Sequence, residues 1–185
     1  AGVELTLTFT NPNLPDDLMV LSRPATYLTW SVKSVDGSNH EVKIYFDATA
    51  ELCVNVTEQT VVAQREATEN LDVLRMGTDT QEVLAKSGDN IRIDWGYFYA
   101  AVEKGTANSA IAGADDARSV FISHGDLPKA DDDNFPRPAR ENWPVAAFTF
   151  DCGIVKADPV VKRIILAYDD EYCLTFLGEQ LRPYW

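Results

Sequence analysis

Basic residues are scarce in this chain of 185 residues, which carries 16 Lys and Arg against 29 Asp and Glu, for a net charge of −13. A protein that binds nucleic acid or an anionic membrane face needs clustered basic side chains to meet the phosphates. The sequence also contains no apolar run as long as a transmembrane helix. We therefore expect neither a nucleic-acid partner nor membrane insertion.

Catalytic and metal-binding motifs are also missing. The two histidines and three cysteines show no zinc-type spacing, and there is no GxSxG, P-loop or HExxH sequence. Cys53 and Cys152 lie in apolar, strand-like sequence, where a thiol usually behaves as a small buried hydrophobic group. With Cys173 the chain has three cysteines, so at least one of them forms no disulfide within the chain, and their disulfide state is left open. We assign no catalytic residue and expect no cofactor.

Alternating apolar and polar residues, the pattern of a half-buried strand, are clearest in the stretch Ser22–Asn55. Apolar residues alternate over 28–32 and again over 42–46, and Asp36-Gly37 between them is typical of a turn. We predict a hairpin here, followed by a third strand over 52–56.

The remaining pattern is also mostly β. Further strands are predicted over 3–10, 18–21, 61–68, 71–76, 91–99, 146–150 and 160–168, the last apolar on both faces and hence central in its sheet. Acidic residues followed by an apolar middle and a closing Gly predict one short helix over Ala114–Ser123. The predicted fold is an all-β, antiparallel β-sandwich of ordinary or supersandwich size, with this helix and a long acidic loop over Asp126–Pro144. It forms a single domain over residues 3–185.

The acidic loop contains the one candidate metal site, Asp131, Asp132 and Asp133. Carboxylate oxygens are the ligands that calcium prefers. The loop lacks the Gly and the distal Glu of an EF-hand, so a solvated loop without metal is the favoured alternative.

Aromatic side chains offer a second type of site. Trp30, Trp95 and Trp143 could stack on sugar rings if they lay exposed in a row on one sheet, which would indicate a carbohydrate-binding or glycosidase-associated sandwich. Large aromatic residues more often fill a core or an interdomain face. Their burial in the structure decides between the two.

The last residues, 169–185, are rich in aromatic side chains, including Tyr172, Phe176, Tyr184 and Trp185. Such side chains need a surface to pack against. We expect this segment to lead into a further domain of a larger multidomain protein. These four aromatic residues are our candidates for the interdomain contact, together with the acidic loop.

Four sequence blocks resemble the central region of glutaminase A-like proteins: SRPATYLTWSVKSVDGSNHEVKIYFDAT, LAKSGDNIRIDWGYFYAAV, ENWPVAAFTFDCGIV and RIILAYDDEYCLTFLGEQLRPYW. The similarity runs in order over nearly the whole chain. It implies that the chain is the β-rich region that precedes a helical, toroid-like domain in a secreted or cell-envelope protein.

The same resemblance implies that the larger protein hydrolyses L-glutamine to glutamate and ammonia. It carries no catalytic residue over to this region. We therefore expect a non-catalytic structural module whose partner is the neighbouring helical domain of the same parent chain, located outside the cytoplasm. The alternative that these residues are themselves the amidohydrolase predicts glutamine turnover by the chain alone.

Overall fold

The computed structural model describes residues 2–185, which form twelve strands, two α-helices and one 3₁₀ helix. The strands are β1 (Val3–Thr10), β2 (Ala25–Ser34), β3 (His40–Thr49), β4 (Thr60–Ala67), β5 (Leu71–Thr78), β6 (Tyr97–Glu103), β7 (Asn108–Gly113), β8 (Arg137–Pro138), β9 (Pro144–Val155), β10 (Val160–Asp169), β11 (Leu174–Phe176) and β12 (Glu179–Leu181). The helices are α1 (Leu18–Leu21), α2 (Ala114–His124) and the 3₁₀ turn Ala50–Cys53.

The strands form two main antiparallel sheets. The large sheet has seven strands in the order β1-β2-β10-β6-β5-β4-β8, and the small sheet has three in the order β3-β9-β7. Strands β11 and β12 pair only with each other. The prediction of an all-β antiparallel sandwich is confirmed, and β10 is central in the large sheet as its apolar sequence predicted.

The core lies between the inner faces of the two sheets. Trp30 of the large sheet contacts Phe150 and Phe46 of the small sheet, with ring centroids 5.2 and 5.8 Å apart. Offset and edge-on aromatic contacts of this kind add to the stabilisation gained from burying apolar surface. Phe148 and Ile164 are fully buried in the same cluster, one from each sheet.

Helix α2 covers the outer face of the small sheet. Ala114 and Ala117 on the helix pack against small strand residues such as Ala110 and Ala147, and small side chains at these positions let the helix approach closely. The helix ends at Gly125, whose left-handed backbone (φ 64°) donates its N–H to the Phe121 carbonyl. The predicted helix is confirmed, and within residues 2–185 no helix is long and apolar enough to cross a membrane.

The predicted hairpin over Ser22–Asn55 is wrong, because β2 and β3 belong to different sheets. β2 pairs with β1 and β10, whereas β3 pairs with β9. Alternation determines which face of a strand is apolar. Two such strands can pair within one sheet, or they can lie in opposite sheets with their apolar faces meeting across the core. Here they face each other, and residues 35–39 carry the chain from one sheet to the other.

Three other strand predictions are wrong. Residues 18–21 form α1, in which the Asp17 side chain accepts the Val20 N–H at 3.1 Å and so caps the first turn. Residues 50–53 form the 3₁₀ turn where a third strand was expected. The aromatic strand begins at Tyr97, so that 91–96 belong to a loop; Gly96 has φ 76°, which ends the extended pattern.

The connection between the sheets is held by Asp36. One carboxylate oxygen accepts hydrogen bonds from the Ser38 N–H at 2.8 Å, His40 Nε2 at 2.9 Å and Ser34 Oγ at 3.1 Å. These donors, led by His40, lower the pKa of Asp36 to about 2. The ionised carboxylate therefore stabilises the folded state, in which its pKa lies below the unfolded value of about 3.9.

This pKa predicts how the chain unfolds in acid. The contribution of Asp36 is fully present above about pH 4 and is lost as the pH falls towards 2, because over this range the unfolded state binds a proton that the folded state does not. In Asp36→Asn that part of the acid dependence should be absent. The test is the urea midpoint of wild type and variant at pH values from about 5 down to 2. Parallel pH profiles for the two proteins would contradict the assignment.

Candidate interdomain surface

Four segments outside the two main sheets meet at the end of the large sheet where β10 finishes. The strand register places residues 11–24, 50–59, 79–96 and 170–185 together there, since Tyr27, Gly77, Tyr97 and Asp169 lie at the ends of adjoining strands. We call these four segments the apolar end. Among residues 2–185 they hold fourteen of the twenty-two exposed large apolar side chains: Leu14, Leu18, Met19, Leu21, Leu52, Val56, Ile91, Ile93, Leu174, Phe176, Leu177, Leu181, Tyr184 and Trp185. Exposed apolar side chains on a monomer are usually scattered singly, so this concentration in one region makes the apolar end a candidate contact surface.

The tail 170–185 is fixed at its root. The Trp95 indole N–H donates to the Tyr172 carbonyl at 3.1 Å, and the Tyr168 hydroxyl donates to the Trp95 carbonyl at 2.8 Å. Gly96 is packed so closely that a Cβ there would lie 2.2 Å from the Asp169 carbonyl oxygen. The tail therefore leaves the sheet in a defined direction.

Beyond this root three of the four predicted aromatic contact residues are exposed. Phe176 is 61% and Tyr184 65% exposed, and Trp185 is exposed as well. Tyr172 is half-buried, with the Arg182 guanidinium 5.1 Å from its ring centroid. All four belong to the apolar end, which brings them together with apolar residues that are distant in sequence.

A buried polar cluster supports the same end of the sandwich. The Asp94 side chain is buried, forms an ion pair with Lys86 and accepts a hydrogen bond from Gln59 Nε2 at 2.8 Å. The Thr78 hydroxyl donates to the Asp94 carbonyl at 2.7 Å. The hydrogen bonds that Lys86 donates to the Asp94 and Glu82 carboxylates raise the pKa of its ammonium group, which is therefore charged at neutral pH. The cluster ties the long loop 79–96 to the start of β4.

The acidic loop lies elsewhere, along the β4 and β7 side of the sandwich. Asp131 is bound by Arg65, whose Nη2 lies 2.9 Å from Oδ1, and the same oxygen accepts the Ile111 N–H at 2.9 Å. Burial raises the pKa of Asp131, but these donors outweigh it and the net pKa is lowered. Its carboxylate is thus engaged within the domain.

Asp132 is engaged separately from Asp131. It forms an ion pair with the buried Arg137 at 2.6 Å, which lowers its pKa, while the Asp132 N–H donates to the Ile111 carbonyl at 2.8 Å. Asp133 is exposed. The structure does not bring the three predicted calcium ligands together, and residues 2–185 contain no group of three or more His, Cys, Asp or Glu side chains placed to hold a metal ion.

The tryptophans do not form a row. Trp30 and Trp95 are buried, one in the core and one at the root of the tail, and Trp143 alone of the three is exposed. A sugar ring needs an accessible aromatic face, so this arrangement removes the observation on which the carbohydrate-binding alternative depended.

Comparison with known proteins adds to this geometry. A family model described as "Domain of unknown function (DUF5127)" matches residues 1–185. The chain belongs to this DUF5127 family. The domain is also 32% identical over 158 residues to glutaminase A of Aspergillus oryzae (strain ATCC 42149 / RIB 40), a match that covers 83% of the chain and 22% of the relative. The resemblance to glutaminase A-like proteins is thereby confirmed, as a match to part of such a protein.

For this DUF5127 domain, the sequence predicted exposed aromatic residues in the tail but did not indicate the rest of the apolar end. The available signal was a set of large apolar residues in the connections between the long strands, such as Met19, Leu52 and Ile91. The Asp94 cluster had no such signal, because Gln59, Lys86 and Asp94 become neighbours only through the fold.

The two neighbouring aspartates of the acidic loop offer a matched test. Asp132→Ala leaves the buried Arg137 guanidinium without its carboxylate, and should lower the free energy of unfolding by about 2 kcal/mol, since two carbonyls still accept from Arg137. Asp133→Ala should change it by less than about 0.5 kcal/mol. Urea unfolding in the presence of EDTA and of calcium measures both. Equal losses in the two variants, or stabilisation by calcium, would contradict the ion-pair interpretation.

Proposed function

We propose that this domain is a non-catalytic structural module of a longer, glutaminase-like hydrolase, called the parent polypeptide below, that acts outside the cytoplasm. Its apolar end packs against a helical domain of the same polypeptide. The observation that carries the proposal is the collection of exposed apolar side chains at one end of the sandwich. The match to 22% of glutaminase A supports it, because that relative is much longer than the matched domain.

The apolar end has the properties of a preorganised interface. The hydrogen bonds of Trp95 and Tyr168 fix the root of the tail, and the Asp94–Lys86 ion pair fixes the loop beside it. A surface whose backbone is already ordered loses less conformational entropy on contact. Aromatic side chains such as Phe176 and Tyr184 are typical anchors of protein interfaces.

The cysteines give the domain no ready nucleophile in its core. Burial raises the pKa of Cys53 to about 12, and its Sγ donates to the Met76 carbonyl at 3.4 Å. Burial also raises the pKa of Cys152. Thiolates attack and thiols do not, so at neutral pH both residues act as packing groups. This supports the assignment of the hydrolytic chemistry to another part of the parent polypeptide.

The first test of the proposal is an ammonia-release assay with L-glutamine. The 185-residue chain should release no more ammonia than the same chain after heat denaturation, while the parent polypeptide should be active. Glutamine turnover by the 185-residue chain would show that the domain is itself the amidohydrolase. An inactive parent polypeptide would instead remove the glutaminase part of the proposal and leave the structural part standing.

The second test compares two exposed apolar side chains in the parent polypeptide. Phe176→Ser, at the apolar end, should lower the thermal midpoint and increase cleavage by protease between the domains, because Phe176 loses a buried contact. Ile122→Ser on α2 is the control, since Ile122 is more exposed but lies away from the apolar end. In the 185-residue chain both variants should stay within about 0.5 kcal/mol of wild type. Equal behaviour of the two variants in the parent polypeptide would contradict the proposed contact.

A further inference from the structure

The inner face of the large sheet is not fully covered. Leu5, Leu7 and Phe9 of β1 pair with Val32, Trp30 and Leu28 of β2, so their side chains point to the same side as these core residues. All three are nevertheless exposed, Phe9 by 67%. The core residues of β2 are buried beneath the small sheet, whereas the same row on β1 is bare.

The small sheet stops above β2. Phe46 of β3 lies against Trp30 of β2, and β3 is the edge strand of the small sheet on this side. Packed sheets lie about 10 Å apart, and neighbouring strands about 4.8 Å. A strand added next to β3 would therefore lie above β1, with its inward side chains on Leu7 and Phe9.

At the opposite edge of the small sheet, formed by β7, free backbone groups of the edge strand are hydrogen-bonded, so that this edge is closed. On β7 the Ile111 N–H donates to Asp131 and the Ile111 carbonyl accepts the Asp132 N–H, so the acidic loop satisfies the free backbone groups. Among residues 2–185 no loop or side chain makes such bonds to the backbone of Ile44–Ala48 in β3. A bulge at Glu41/Lys43 interrupts the first part of β3, but residues 44–49 pair regularly with β9.

We infer that residues 44–49 of β3 take up one further strand, supplied by a segment of the parent polypeptide outside residues 1–185. The inference rests on the proposed function for the existence of that polypeptide. The segment has apolar residues at alternate positions, which cover Leu7 and Phe9, while its backbone pairs with the free edge of β3. A strand is required because a helix would cover the apolar row and leave the edge amides unpaired.

Hydrogen exchange in the parent polypeptide tests the inference. The amides of residues 44–48 that point away from β9 should exchange as slowly as the Ile111 amide, which serves as an internal reference for a closed edge. In the 185-residue chain they should exchange at least about tenfold faster, as expected for an open edge. Equal exchange in the two proteins, at the rate of loop amides, would overturn the inference.

A matched pair of variants on β1 distinguishes the alternatives. Phe9→Thr keeps a strand-forming residue but removes the apolar contact, and should speed exchange of the β3 edge amides in the parent polypeptide. Thr8→Ala changes the opposite face of the same strand and should not. If Phe9→Thr destabilises the parent polypeptide while the wild-type edge amides are unprotected, a helix covers the face and the strand is wrong. Protection that rises with concentration of the 185-residue chain would identify a second copy instead.

The test of the added strand can be interpreted independently of the test of the proposed function. Phe176→Ser tests the apolar end and should leave the β3 amides protected. If β3 is unprotected while Phe176→Ser still disrupts the parent polypeptide, only the added strand is refuted. If the edge amides fail to gain protection and Phe176→Ser has no effect, both proposals fall.

Discussion

The apolar face of a sheet has to be covered by another layer, and here a sheet of three strands must cover a sheet of seven. The small sheet does so over the middle of the large one, where Trp30, Phe148 and Ile164 are buried. Its own outer face is closed by α2. The small sheet does not cover the β1 strand at one edge of the large sheet or the apolar end, and both remain exposed. The unequal size of the two sheets thus decides where this domain presents apolar surface.

The strong negative charge of the chain has a structural use that composition alone did not reveal. Asp131 and Asp132 are held by Arg65 and Arg137, and their backbone and side chains together close the β7 edge. An open edge invites pairing with another strand, so an acidic loop that binds it prevents that outcome on one side. The loop was predicted from sequence as an interdomain candidate or a calcium site. Its partner Arg65 is 66 residues from Asp131, and that distance hid the pairing.

Alternation predicted most of the long strands, missed β7 and the short strands β8, β11 and β12, and did not predict which strands pair. The face that each residue of β2 presents follows from period two, and the central place of β10 follows from apolar residues on both faces. Which strands pair depends on which apolar faces meet across the core, and alternation along the chain does not specify those contacts. The Asp36-Gly37 turn was recognised, but whether it joins paired strands or crosses between sheets depends on contacts made far away. For the same reason the aromatic tail was visible in the sequence as a candidate contact segment, while the Asp94 cluster was not visible.

The apolar end and the β1 face differ in what they imply about a partner. Strand residues such as Leu7 are apolar because the alternation of a sheet demands it, so their exposure indicates that a neighbouring piece of the same fold is required. Loop residues such as Ile91 and Tyr184 are under no such demand, and a polar side chain would serve the loop equally well. Contacts within residues 2–185 do not account for their apolar character, which is why we propose an external contact for them. In our two proposals, the β1 face is therefore completed by a further strand of the sandwich, whereas the apolar end packs against a separate domain.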